Sequence, residues 1–103
     1  IQYLDKFKAD DANVAPIAKG AIGDAFAQLD QQQEALKYYE NAASMSSSDL
    51  TAPRFLLKAG ITAINLGNSA VALKHFNTII ENYPKSPESK KAILYQGKAE
   101  AMQ

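Results

Sequence analysis

GDAFAQLDQQQEALKYY (residues 23–39) and GITAINLGNSAVALKHF (residues 60–76) decide the fold, because laid one over the other they keep glycine, alanine, leucine, lysine and an aromatic ring in step. Gly23, Ala35, Leu36, Lys37 and Tyr39 answer to Gly60, Ala72, Leu73, Lys74 and Phe76, each 37 residues on. The same interval links Pro16 to Pro53 and Leu29 to Leu66, and carries Gly60 forward to Gly97. A fixed interval of this size marks a unit that cannot bury its apolar face alone and stacks against its neighbours. The unit occurs twice in full, with a half unit at each end.

Within each unit the apolar residues recur at helical spacing. The spacing predicts helices over about Ala15–Leu29, Gln32–Met45, Ala52–Leu66 and Ser69–Tyr83, and a last one after Ser86-Pro87 to about Met102. Pro16 and Pro53 fall in first turns, where a missing N–H costs nothing. Gly67-Asn68 and the serine-rich stretch from Ser44 to Thr51 read as turns, and Pro84 stops the fourth helix. Residues 1–12, with Tyr3, Leu4 and Phe7, read as the end of a preceding helix; residues 14–50 form repeat 1, 51–86 repeat 2 and 87–103 a trailing helix, all in one domain. Gly23 with Ala35, and Gly60 with Ala72, are expected to let paired helices approach closely, leaving Tyr39 and Phe76 to fill the space between one pair and the next. Burying such a ring contributes about 1.5–3 kcal/mol, more than the ~1 kcal/mol a glycine costs inside a helix.

The 103 residues are 47% hydrophobic and carry 11 basic and 11 acidic side chains, which fits one compact domain and gives no basic excess for nucleic acid. Zero cysteines exclude disulfides, thiolate zinc sites and a catalytic thiol. Phosphate-cradling, zinc-protease and nucleophile-elbow motifs are absent, so no catalytic residue, metal ligand or cofactor is expected. His75, the single histidine, reads as a surface or packing residue, Asp10-Asp11 as a turn cluster, and Tyr38-Tyr39 as half core and half surface. Residues 1–50 carry a net −4 and residues 51–103 a net +4, a weak dipole that favours end-to-end alignment at low salt. The chain opens at Ile1 and reads as a piece of a longer one, with no segment in it long and apolar enough to span a bilayer.

The pattern Gly23, Phe26, Ala35, Tyr39, Ala42, recurring as Gly60, Ala63, Gly67, Ala72, Phe76, Ile79, Pro84, resembles the tetratricopeptide repeat family. Lys19 and Leu56 stand at the family's usual tryptophan, Asp30 at the glycine of the first turn, and the first unit lacks the closing proline. The resemblance implies an all-α solenoid of antiparallel helix pairs wound as a right-handed superhelix. The three residues beyond the family's usual 34 are assigned to the Ser46–Thr51 turn. The run Tyr83-Pro84-Lys85-Ser86-Pro87 is similar to repeats of bacterial envelope proteins. With Tyr3-Leu4-Asp5-Lys6-Phe7 it resembles the C-terminal half of membrane-anchored, Sec-translocon-associated members, which implies a periplasmic setting and an upstream transmembrane helix.

The resemblance also implies a concave groove lined by the first helix of each unit. The first unit offers Asp24 and Gln28, with Ile17, Gly20, Ala21 and Ala27 beside them. The second offers Arg54, Leu57, Lys58, Ile61 and Asn65, with Ile64. The trailing helix adds Lys91, Tyr95 and Lys98, with Leu94 and Met102. Such a lining suits a peptide with an apolar anchor and an acidic group near Arg54, Lys58, Lys91 and Lys98. Gly20 and Asp24 stand where the family's carboxylate clamp needs lysine and asparagine, so that clamp is not expected. The expected role is a non-enzymatic scaffold for a protein or peptide, with no nucleic acid, no direct membrane contact and possible self-association. The alternative is a module that joins repeats or subunits end to end.

Overall fold

The computed structural model describes residues 14–46 and 48–103; the readings of residues 1–12 and of Asp10-Asp11 lie outside them. Five helices follow one another: α1 (Val14–Gln28), α2 (Gln32–Met45), α3 (Ala52–Asn65), α4 (Ser69–Asn82) and α5 (Pro87–Ala101). Among the described residues there is no strand, and no helix is long and apolar enough to cross a membrane. Each helix packs against the next in sequence, and α3 also packs against α5, which gives an all-α repeat solenoid.

The two helix-pair turns are built alike. In the second, Gly67 adopts a φ of 77°, its N–H donates to the Ile64 carbonyl and that of Asn68 to Ala63. In the first, Asp30 stands at a φ of 60°, its N–H donates to Ala27 and that of Gln31 to Phe26. Both are the six-to-one and five-to-two bonds of a Schellman ending, with glycine in one copy and aspartate in the other. Asn68 then caps α4 by accepting from the Val71 N–H at 3.2 Å, whereas Gln31 makes no such bond to α2.

The Tyr83–Pro87 run is explained by the turn between α4 and α5. Proline at 84 ends one helix and Pro87 opens the next. The Ser86 hydroxyl donates to the Tyr83 carbonyl at 2.7 Å, and buried Ser89 donates to the carbonyls of Pro84 and Ser86.

Packing of the rings differs from the expectation in one respect. Tyr39 and Phe76 lie on the glycines of their own unit: a Cβ at Gly23 would stand 2.7 Å from the Tyr39 ring, and one at Gly60 2.4 Å from the Phe76 ring. They also reach the next unit, since Phe76 stacks on Tyr95 with ring centroids 5.8 Å apart. One ring therefore fills the seam within a pair and the seam after it. Gly20 is a third seat, which takes Phe55 from the following unit. At the next junction the sizes are exchanged, with Leu57 where Gly20 stood and Ala92 where Phe55 stood, both buried in the cluster around Phe76 and Ile79. His75 is a packing residue: it is buried on α4, and its Nε2 lies 2.6 Å from a carboxylate oxygen of Glu40 on α2. A carboxylate only accepts, so the imidazole nitrogen is the donor, and the bond ties the second helices of the two units together.

Candidate functional site

Between α1 and α3 the packing is bridged by side chains. The Nζ of Lys58 donates to both carboxylate oxygens of Asp24, at 2.9 and 3.1 Å, and the Tyr39 hydroxyl donates to the same carboxylate from below. Lys58 also lies over the Tyr39 ring, 5.7 Å from its centroid, within reach of the ring's negative face. Burial pushes the Tyr39 phenol well above its ordinary value, and the hydrogen bond to Asp24 and that residue's negative charge add to the effect. The Tyr39 hydroxyl therefore stays protonated, and donating, to a more alkaline pH than an ordinary tyrosine.

This triad floors an open cavity of about 300 Å³ whose walls are Asp24 and Ala27 of α1, Gln32 and Tyr39 of α2, and Lys58, Ile61, Thr62 and Asn65 of α3. At its mouth the Asn65 side-chain amide donates to Gln32. Five of the residues assigned to the groove from the sequence, Asp24, Ala27, Lys58, Ile61 and Asn65, meet here. Arg54 is exposed on α3, one turn before Lys58 on the same face. Lys91 and Lys98 are exposed on α5, at the repeat positions of Arg54 and Ile61. Gln28 is exposed at the end of α1 outside the cavity wall.

Leu57 is buried in the core, so its side chain belongs to helix packing and not to a surface. Tyr95 is half-buried against the same cluster and stacks on Phe76. Sequence reasoning placed Lys58 among the cations for a ligand, yet its charge is already met by Asp24. It also passed over Tyr39 as a groove residue. The signal was the contrast with Phe76 at the matching place: an added hydroxyl on a core ring needs a polar partner. Among the described residues, no group of three or more histidines, aspartates or glutamates is placed to hold a metal.

An all-helical repeat solenoid is thus the class that the fold defines. Residues 55–86, from the start of α3 through the turn after α4, match the family model of the tetratricopeptide repeat, which supports the repeat assignment. No curated protein and no solved structure matches the chain.

Proposed function

We propose that the protein is a non-enzymatic interaction scaffold that holds a protein segment in the groove between α1, α3 and α5. Repeats of the matched kind generally mediate protein–protein contacts, and the single observation that carries the reading is the open cavity between α1 and α3. Polar and apolar side chains from three helices converge there around a Lys58–Asp24–Tyr39 network. Such a mixture suits a peptide whose apolar side chain packs on Ile61 while its backbone meets Asn65 and Gln32. Because Lys58 is engaged, an acidic group on the ligand falls to Arg54, with Lys91 and Lys98 continuing the basic strip. A bacterial envelope setting rests on the sequence resemblance of residues 83–87 and 3–7 alone.

The test is a peptide library of acidic–apolar sequences, with the selected peptide measured by titration calorimetry. Arg54→Glu and Lys98→Glu each weaken binding about tenfold, the scale of one charge-assisted contact of about 1.4 kcal/mol. Asp24→Asn tightens it, because Lys58 is released toward the ligand. All three leave the mass in solution unchanged. A peptide that binds equally well to all three variants would overturn the groove reading.

A further inference from the structure

The two helix pairs are firm blocks. Tyr39 on Gly23 locks α1 to α2, and Phe76 on Gly60 locks α3 to α4, so closely that neither glycine has space for a Cβ. The blocks meet along α2 and α3, where Ala35 and Ala59 are fully buried beside Tyr39. Alanine faces carry little relief to interlock, and such a seam suits small rotations of one block on the other. The Asn65–Gln32 contact, at 3.4 Å, lies along the seam itself. To either side of it a polar tie crosses from block to block. On the groove side Lys58 holds Asp24, and on the opposite side His75 holds Glu40 at 2.6 Å. No backbone contact comparable to that of α3 with α5 joins α1 to α3 or α2 to α4. Phe55 on Gly20 closes the N-terminal end of the α1–α3 flank, whereas the other end opens into the cavity.

We infer that His75–Glu40 is a clasp behind the groove: it holds the second helices together and thereby sets how far apart the first helices stand. A rotation about the α2–α3 seam that parts α2 from α4 brings α1 toward α3, and the reverse widens the cavity. The clasp is the firmer tie, because its imidazole is buried, whereas Lys58 and Asp24 are both half-exposed and open to competition from water. Its geometry stands without a ligand; its bearing on affinity rests on the groove reading.

The chain has no cysteine, so paired spin labels on introduced cysteines report each flank separately by pulsed dipolar spectroscopy. One pair is Lys37→Cys with Lys74→Cys, exposed on α2 and α4; the other is Leu29→Cys with Leu66→Cys, exposed just past the ends of α1 and α3. His75→Leu keeps the site filled but breaks the bond. It is expected to lengthen the α2–α4 distance by about 2 Å and to shorten the α1–α3 distance, with the helical circular dichroism unchanged. Glu40→Ala removes the same bond from its exposed end, repeats both shifts, and serves if His75→Leu fails to fold. Lys58→Met moves the two distances the opposite way. An α2–α4 distance that lengthens while the α1–α3 distance stays fixed overturns the proposal, as does a lower melting temperature with neither distance moved. Distances that move as expected while no acidic–apolar peptide binds uphold the clasp and overturn only the groove reading.

Discussion

Tyr39 shows how one atom changes a residue's role. Its ring does what Phe76 does one unit later, lying on a glycine, but its hydroxyl donates to Asp24 and so joins the core to the groove. Because the folded state raises the phenol's pKa, the contribution of Tyr39 to stability is complete below the ordinary tyrosine value of about 10. It is lost as pH climbs through that value and beyond. Unfolding free energy measured against pH for the wild type and Tyr39→Phe is expected to differ by a constant amount up to about pH 9. Above pH 10 the wild type falls more steeply; parallel curves throughout would contradict this. The Lys58–Asp24 pair is half-exposed, so Lys58→Met costs only about 0.2–1 kcal/mol. Its importance is to the charge of the groove.

At the scale of elements, the two helix-pair turns form a matched comparison within one chain. Asp30 holds a left-handed conformation that favours glycine, and Gln31 leaves α2 without the side-chain cap that Asn68 gives α4. Transplanting the second turn into the first by Asp30→Gly with Gln31→Asn should raise stability by about 1–2 kcal/mol, roughly half from relieving the backbone and half from the new cap to the Glu34 N–H. Chemical denaturation of the two single variants and the double checks it; a double variant no more stable than the wild type would mean the two turns are not equivalent. Helix positions were legible in the sequence because proline, glycine and serine punctuate an unbroken 3.6-residue pattern. The fate of Leu57 was harder to read. It stands one register from Gly20, and only a comparison of pairs, Gly20 with Phe55 against Leu57 with Ala92, reveals that bulk was moved from one helix to its neighbour and that Leu57 must be inside.

Over the whole molecule, the 37-residue register carries the argument from sequence to groove, since it puts α1, α3 and α5 on one side and aligns Arg54 with Lys91 and Ile61 with Lys98. Charge did not foretell the site: the engagement of Lys58 by Asp24 joins residues 34 apart, and no local pattern announces it. What the register does foretell is a difference among three glycines that look identical in the sequence. Gly23 and Gly60 are seats for buried rings, whereas Gly97 faces open space within a helix. The most direct measurement is therefore the unfolding free energy of Gly23→Ala, Gly60→Ala and Gly97→Ala side by side. The first two are expected to lose about 1–3 kcal/mol, because a methyl group cannot share the space of a packed ring, and the third to gain about 0.5–1 kcal/mol from helix propensity. Three changes of the same sign and size would contradict the ring-on-glycine register on which the account stands.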